Sequence, residues 1–308
     1  MEEERGGVEG LCRLQARACA EAVALDASVP RPGLTSVTRP RPGHEPLGFI
    51  GLTGLAYEAC LCSCLRGAER RPGWTGCWLA AVKEMAVRWG NTGMGMLFLL
   101  SLQSHAVGQA AGLDRAARDE AVMGASRLSL EGEGVEGAEA FYRGLAAASP
   151  GYLWRLSWAG LPDASAPGLA LAALREGRVT LAQLADAAGL YDPVLRDAAR
   201  LLSLSVGYLA PLVLEMAERR GLVEALRLAT LEAGAVFGDM LVSRKLGLRG
   251  LPLFRGGLPP SLEAVLWRLL RLVGPGSAAD LAAAAVARLF FLSWLGVVEL
   301  RAYPRGQP

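Results

Sequence analysis

The sequence predicts an all-α protein, and two observations support this fold class. Of the 308 residues, 52% are hydrophobic and only 6% are aromatic, so a sizeable core can be built mostly from small aliphatic side chains such as Ala and Leu. Apolar residues recur at three- and four-residue spacing, whereas the period-2 alternation of strands is missing. No internal repeat and no clear linker divides the chain. Residues 1–308 are therefore expected to form a single large domain of about ten or more helices.

Proline and glycine mark the ends of the predicted helices. The first helix stops at Pro30, and Pro211 is expected to kink a long helix over residues 193–220. Ser277 and Asp280 have the spacing of a capping box, in which the two side chains satisfy the free N–H groups of a first helical turn. The predicted ranges are 11–29, 47–66, 76–89, 95–112, 114–128, 136–148, 169–176, 180–188, 193–220, 222–246, 261–273 and 277–300.

Three connecting segments stand out between these helices. The Pro-rich loop over residues 30–46 is either a solvated connection or a stiff wall of a site. The Glu- and Gly-rich residues 131–137 are expected to be exposed. Residues 149–168 form a long irregular segment, and loops of this length are uncommon unless they are functional.

Six cysteines allow three interpretations. Cys60, Cys62 and Cys64 are separated by single residues, unlike the two- to four-residue gaps of common zinc sites, so small buried core residues are favoured over a metal cluster. A disulfide from Cys12 or Cys19 to Cys77 remains a third possibility. The acidic N-terminus lacks the apolar core of a signal peptide, and we expect a cytoplasmic protein.

Charge and hydropathy argue against two classes of partner. The net charge of +2 leaves no electrostatic footprint for nucleic acid at the level of the whole chain. Met94–Leu102 is too short to cross a bilayer, polar residues interrupt Leu201–Met216, and Arg288 lies within Leu281–Leu300. We interpret all three runs as buried helices and expect no membrane partner.

The stretch Gly90-Asn91-Thr92-Gly93-Met94-Gly95 opens an apolar helix. Asn and Thr are good N-caps, and glycines let a ligand approach the backbone, so this helix start suits a phosphate. An ordinary capped core helix explains the same residues. Similar polar groups beside glycines or helix breaks recur along the chain, at Asp26 with Arg31, His44 with Glu45, Asp239 with Arg244 and Lys245, and Gly276 with Ser277 and Asp280.

These motifs, in this order, resemble the triphosphoribosyl-dephospho-CoA synthase family. That family has an acidic residue before Pro-Lys-Pro-Gly-Leu-Val, and this chain has Asp26 before Pro-Arg31-Pro-Gly-Leu-Thr35. A Gly-Ala-His segment corresponds to Gly43-His44-Glu45. The Asn-Thr-His-Lys-Gly motif corresponds to Asn91-Thr92-Gly93-Met94-Gly95, and the Pro-Gly-(Gly/Thr)-(Ser/Thr)-Ala-Asp-Leu motif to residues 275–281. Residues 238–245 resemble the archaeal-type Asp-Thr-Leu-Ile-Ala-Arg-Lys.

The resemblance implies a transferase that joins the ribose C1′ of ATP to a hydroxyl of dephospho-CoA or a related acceptor and releases adenine. Such a reaction needs carboxylates beside C1′, a base for the acceptor, and cations with Mg²⁺ for the triphosphate. By motif position the catalytic candidates are Asp26, His44, Glu45 and Asp280, and the metal ligands are Asp26, Glu45 and Asp280. The nucleotide-binding candidates are Arg31, Asn91, Thr92, Gly93, Arg244, Lys245, Gly276 and Ser277. Both helix starts are expected to open on one cleft.

Departures from the motifs leave two alternatives open. Met94 replaces the motif lysine and Arg31 replaces the lysine between the prolines, so the chain resembles a divergent member, and an inactive nucleotide-binding member is one alternative. The other is a helix-turn-helix beginning near Thr180, although its second helix carries Asp192, Pro193 and Asp197. The expected partners are ATP and dephospho-CoA or a related small molecule, without nucleic acid, and a homo-oligomer remains possible.

Overall fold

The computed structural model describes residues 2–31, 33–40, 46–110, 112–149, 160–240, 242 and 274–300, and within these ranges it confirms the all-α class. The α-helices are α1 (Glu2–Ser28), α2 (Pro46–Ala68), α3 (Trp74–Trp89), α4 (Met94–Gln109), α5 (Leu113–Ala116), α6 (Asp119–Gly132), α7 (Gly134–Ala148), α8 (Pro167–Glu176), α9 (Leu181–Ala188), α10 (Pro193–Ala199), α11 (Ala210–Arg220), α12 (Leu222–Val236) and α13 (Gly276–Trp294). A π-helical turn, Ser205–Leu209, precedes α11. The predicted helix 261–273 lies outside the described residues.

Two central helices, α4 and α13, organise the core. Each is buried along nearly its whole length, and both pack against α1. Helix α4 also packs against α2, α3 and α6, and α13 also packs against α12. A helix that is apolar on all sides is stable only when neighbours surround it, as they do here. The N-termini of both central helices face the same region, and this arrangement creates the site.

The predicted helix 193–220 is wrong as a single kinked element. Helix α10 ends at Ala199, and Leu201 and Leu202 both take positive φ angles, of 61° and 55°. Pro211 lies within the first turn of α11, where its missing N–H is tolerated, and it does not kink a helix. The break comes from Asp197, whose carboxylate accepts hydrogen bonds from the N–H groups of Leu204 and Ser205 and from the Ser205 hydroxyl.

The expectation that residues 131–137 are exposed holds for Glu131, Gly132 and Glu136 but is wrong for Glu133 and Gly137, which are buried. Helix α6 continues to Gly132, and Glu133 is only 5% exposed. Its carboxylate accepts hydrogen bonds from the backbone N–H groups of Gly73, Trp74 and Thr75 at the start of α3. Glu133 therefore caps α3 from a distant part of the chain, which local sequence spacing does not reveal.

Two disulfides join the first three helices. Cys12–Cys64 links α1 to α2, and Cys62–Cys77 links α2 to α3, whereas Cys19 and Cys60 are buried free thiols. The favoured interpretation of Cys60, Cys62 and Cys64 as small core cysteines is thus right for the free thiol of Cys60 and wrong for Cys62 and Cys64, which form disulfides. Cys77 does pair, as one alternative allowed, but its partner is Cys62, because Cys62 points away from the α1 face that holds Cys60 and Cys64.

Two of the described helices are long and apolar enough to cross a membrane by length and composition alone, Pro46–Ala68 and Gly276–Trp294. The second is mostly buried within the protein. Its one cation, Arg288, is fully buried and donates hydrogen bonds to Asp119 and to the carbonyl of Ala116. These contacts are those of a core helix.

Candidate functional site

A cavity of about 150 Å³ opens where four segments of the chain meet. The end of α1 and the loop after it form one wall, and the start of α4 forms the second. The start of α10 and the start of α13 form further walls, and one phenylalanine each from α2 and α7 also lines the cavity. The expectation that the Asn91 and Ser277 helix starts open on one cleft is confirmed. The cavity brings together Asp26, Asn91, Thr92, Gly93, Gly276, Ser277 and Asp280 from the predicted site.

Asp26 reaches the cavity from the last turn of α1, and Arg31 holds it there. The Arg31 guanidinium donates to Asp26 Oδ1 at 2.5 Å, to the Asp26 carbonyl at 3.0 Å and to Thr230 Oγ1 at 3.1 Å. Arg31 is only 1% exposed and is not part of the cavity lining. The structure therefore places Arg31 behind the carboxylate, whereas the sequence analysis assigned it to phosphate.

The start of α4 is capped by Asn91, as expected, but not by Thr92. Asn91 Oδ1 accepts a hydrogen bond from the N–H of Met94 at 3.3 Å, and the Asp280 carboxylate lies against the same first turn at Gly95. Thr92 Oγ1 makes no hydrogen bond with the described residues. Gly95 is required because a Cβ there would overlap the Asp280 carboxylate. The dipole of α4 thus stabilises a carboxylate of the protein at a place where a phosphate was expected.

The capping box predicted at Ser277 and Asp280 is wrong. Helix α13 begins at Gly276 without a side-chain cap from its own first turn. Asp239 Oδ2 accepts the hydrogen bond from the Ala278 N–H at 3.0 Å, while Asp239 Oδ1 accepts from Val242 at 3.0 Å. Asp280 therefore does not cap its own helix, and its carboxylate lies against Gly95 at the start of α4.

Three carboxylates line the cavity, those of Asp26, Asp192 and Asp280, and the charge of Asp239 also acts on Asp280. Asp280 is half-buried in the cavity wall, and its pKa is raised well above the ordinary value, first by desolvation and then by the charges of Asp26, Asp192 and Asp239. Burial also raises the pKa of Asp26, and Arg31 offsets part of that effect. Like charges held this close favour a shared proton or a bound cation. The described lining of the cavity contains neither Lys nor Arg.

Sequence reasoning did not include Asp192 in the site. Its carboxylate accepts hydrogen bonds from Val194 and Leu195, so it is the N-cap of α10, and it also lines the cavity. The Asp-Pro pair was a signal for a helix start, but this pair was assigned to the helix-turn-helix alternative. That alternative loses its main cation, because the Arg196 guanidinium donates to the carbonyls of Gly189, Leu190 and Phe237.

The remaining wall of the cavity is apolar and aromatic. Phe98 and Phe141 line it, with ring centroids 5.2 Å apart, and each ring also contacts Trp78. Phe49 and Met94 lie in the same lining. The aromatic residues were not predicted as site residues, because isolated Phe residues in apolar helices give no signal that separates them from the core.

Several predicted site residues lie outside the described part of the chain, namely His44, Glu45, Arg244 and Lys245. Their roles stay predictions. Within the described ranges, no group of three or more His, Cys, Asp or Glu side chains has the arrangement of a metal site. The acidic cluster therefore offers individual carboxylates to a cation, without a complete cage.

Known proteins share both this architecture and part of this sequence pattern. A crystal structure of a protein from Archaeoglobus fulgidus, described as a triphosphoribosyl-dephospho-CoA synthase, superposes with a TM-score of 0.56. The two chains are 17% identical, and the match covers 80% of this chain and 99% of the other, so they share the fold. No curated protein sequence matches the chain. The family profile of CitG, ATP:dephospho-CoA triphosphoribosyl transferase, matches residues 12–257. Since this match covers well over half of the sequence, the chain belongs to the ATP:dephospho-CoA triphosphoribosyl transferase family.

Proposed function

We propose that the cavity is the active site of a transferase that moves the 5-triphosphoribosyl group of ATP to a hydroxyl of dephospho-CoA. Family membership supports this reaction class. In the reaction the bond between C1′ and the adenine nitrogen breaks, and adenine leaves with the bonding electrons. A bond forms between C1′ and the acceptor oxygen, and the acceptor's proton goes to a base. The triphosphate stays attached throughout.

The single observation that carries the assignment is the convergence of carboxylates beside an aromatic wall. The transition state at C1′ resembles an oxocarbenium ion, and a nearby carboxylate stabilises its positive charge. Asp26 and Asp280 both line the cavity and are candidates for this role. The aromatic side offers Phe98 and Phe141 to the flat adenine ring.

The acidic cluster also fits a magnesium ion. Mg²⁺ prefers oxygen ligands, keeps several waters and is commonly bound by one or two carboxylates together with substrate phosphates. Asp26 and Asp280 would hold it, with Glu45 as the further predicted ligand. The bound ion would neutralise the triphosphate, which the described lining does not do because it lacks Lys and Arg. The observation that supports a cation here is that the charges of Asp26, Asp192 and Asp239 act on Asp280 in the same place.

The remaining roles follow from the sequence motifs. Arg244 and Lys245 are proposed to hold phosphate, and His44 is the candidate base. Asn91, Thr92, Gly93, Gly276 and Ser277 line the cavity and are proposed to contact the nucleotide. Arg31 acts on the nucleotide only through Asp26, because its guanidinium lies behind that carboxylate, donates to Asp26 and Thr230, and is not part of the cavity lining.

We place the protein in the cytoplasm, where ATP and dephospho-CoA are available. The two disulfides count against a strongly reducing compartment, since cytosolic proteins outside hyperthermophiles rarely keep them. Isolation of the protein under thiol-blocking conditions tests the assignment. Free thiols at Cys12 and Cys77 would support the cytoplasm, and intact disulfides would count against it. A second copy of the chain as partner stays a proposal without a defined surface.

One observation favours a second candidate, a nucleotide-binding member without catalytic activity. Met94 lines the cavity at the position of the motif lysine, so a cation of the family pattern is missing from the site. Incubation with ATP, Mg²⁺ and dephospho-CoA separates the candidates. Release of free adenine supports the transferase, ATP binding without release supports the inactive binder, and no ATP binding by calorimetry refutes both.

A further inference from the structure

Two hydroxyl groups in the cavity lining have no hydrogen-bond partner among the described residues. They belong to Thr35 and Thr92, which are 4% and 8% exposed. A buried hydroxyl without a partner costs about 1–3 kcal/mol, and native proteins satisfy nearly all such groups. An unpaired hydroxyl that faces a cavity is therefore a candidate contact for the molecule that fills the cavity.

Thr35 lies beside the end of α1, on the same side of the cavity as Asp26. The chain turns at Gly33, where φ is 78°, and the N–H of Leu34 donates to the carbonyl of Arg31 at 3.1 Å. The N–H of Val37 then donates to the carbonyl of Ala27 at 2.9 Å, which ties the loop back to the helix. Since Ala27 follows Asp26, this bond holds the loop that carries Thr35 against the end of α1 that carries Asp26, and both residues line the cavity.

The charge of this wall indicates which substrate atoms it accepts. Asp26 and Asp280 line the cavity, and the pKa of Asp280 is raised partly by the charges of Asp26 and Asp192. Bare phosphate oxygens are repelled by such a wall, whereas a sugar hydroxyl is neutral and can donate a hydrogen bond to a carboxylate or a threonine oxygen. Both substrates of the proposed reaction contain a ribose.

The position of Asp26 favours the ribose of ATP. If a carboxylate of this wall stands beside C1′, the 2′-hydroxyl is the nearest sugar hydroxyl, one carbon away. In glycosyl transfer, hydrogen bonds to the 2-hydroxyl strengthen in the transition state. We propose that Thr35 is a specificity-determining residue whose hydroxyl binds the 2′-hydroxyl of the ATP ribose. This inference rests on the proposed function.

The test compares nucleotides and variants in the adenine-release reaction with dephospho-CoA and Mg²⁺. The wild-type protein should prefer ATP to 2′-deoxy-ATP in kcat/KM, and Thr35→Val should lose roughly tenfold with ATP but little with 2′-deoxy-ATP. The loss should fall mainly on kcat, because the contact strengthens in the transition state. Thr35→Ser should keep the preference for ATP over 2′-deoxy-ATP. The ratio of kcat/KM between ATP and 3′-deoxy-ATP should be the same in the wild type and in every variant.

Valine has nearly the shape of threonine and stands at this position in the family motif, so the variant is compatible with the fold. Thr53→Val, a matched substitution on α2 outside the cavity lining, is the control and should behave as wild type. Retention of the full 2′-preference in Thr35→Val overturns the inference and leaves the transferase intact. The inference is also overturned if the wild-type protein uses 2′-deoxy-ATP with the same kcat/KM as ATP. This measurement needs no variant.

Two further outcomes complete the test. If Thr35→Val raised the KM for dephospho-CoA and left the kinetics for ATP unchanged, the Thr35 hydroxyl would bind the acceptor's ribose. That result would overturn the proposal. Failure of the wild-type protein to release adenine from ATP would overturn the proposed function together with this inference.

Discussion

Arg31 shows at the residue scale how a charged motif residue serves the site indirectly. Its guanidinium is buried, and it holds Asp26 through a side-chain and a backbone hydrogen bond. Removing one partner of a buried ion pair leaves the other charge without compensation. Arg31 therefore stabilises the end of α1 and also fixes the position of the Asp26 carboxylate in the cavity.

Replacement of Arg31 by methionine should destabilise the protein by about 3–5 kcal/mol, because Asp26 would stay buried without its cation. Arg31→Lys should lower the free energy of unfolding by less, since lysine keeps the charge but cannot reproduce all the hydrogen bonds to Asp26 and Thr230. Denaturant unfolding measures both effects. Arg13→Met is the control, because Arg13 forms an exposed pair with Glu9 and its loss should change little. Equal effects of Arg31→Met and Arg13→Met would contradict the buried-pair account.

Asp197 offers a residue-scale prediction about pH. Burial raises its pKa from 3.8 to about 6, although Ser205 and Leu204 donate hydrogen bonds that favour the charged form. Because the folded pKa exceeds the unfolded one, the stabilising contribution is complete below pH 3.8 and is lost as the pH rises towards 6. Relative to Asp197→Asn, the wild type should lose roughly 3 kcal/mol across this window. Thermal unfolding of both proteins between pH 3.5 and 7 measures the difference, and parallel profiles would refute it.

At the scale of elements, the sequence predicts the existence of helices better than their caps. The periodicity and the Pro and Gly punctuation correctly indicate α2, α3, α7 and α9, because these signals are local. The caps of α3 and α13 come from Glu133 and Asp239, which lie far away in the chain, whereas the cap of α4 comes from the neighbouring Asn91. The identity of the two distant caps depends on the tertiary packing, so spacing alone suggested a capping box that does not form.

The two disulfides connect elements and permit a stability prediction. Closing the 52-residue separation of Cys12 and Cys64 should stabilise the protein by about 4 kcal/mol, and the 15-residue separation of Cys62 and Cys77 by about 3 kcal/mol. The longer loop contributes more because its closure removes more entropy from the unfolded chain. Thermal unfolding of Cys12→Ser and Cys77→Ser, with mass spectrometry of blocked thiols, measures both. Unchanged melting on addition of reductant would show that the bridges are absent or unimportant.

At the scale of the whole molecule, the site exists only when distant segments meet. The motifs at Asp26, Asn91 and Asp280 were recognisable in the sequence, and the structure brings them to one cavity. Asp192 and the aromatic wall were missed, because a helix cap and core phenylalanines have the same local pattern whether or not a cavity adjoins them. The roles of His44, Glu45, Arg244 and Lys245 stay predictions from the motifs.

The last prediction concerns Asp280, which links α13 to the start of α4 and faces the three other carboxylates. Asp280→Asn keeps the shape of the side chain against Gly95 and removes one titratable carboxyl from a crowded acidic cluster, so the fold should be as stable as the wild type or more stable at neutral pH. Its effect on activity should be the opposite. The charge that stabilises a cation or the oxocarbenium ion is lost, and adenine release should fall by at least a hundredfold.

Asp197→Asn is the matched control, because it also replaces a carboxylate that accepts hydrogen bonds from backbone N–H groups but that lies outside the cavity lining and the acidic cluster. It should reduce activity far less than Asp280→Asn. Thermal unfolding and adenine release, measured on the same preparations, separate a structural from a functional role. If Asp280→Asn lost stability and activity together, or if both variants kept full activity, Asp280 would have only a structural role at the start of α4. Loss of turnover in a stable Asp280→Asn protein would identify the meeting point of α1, α4, α10 and α13 as the place where the nucleotide reacts.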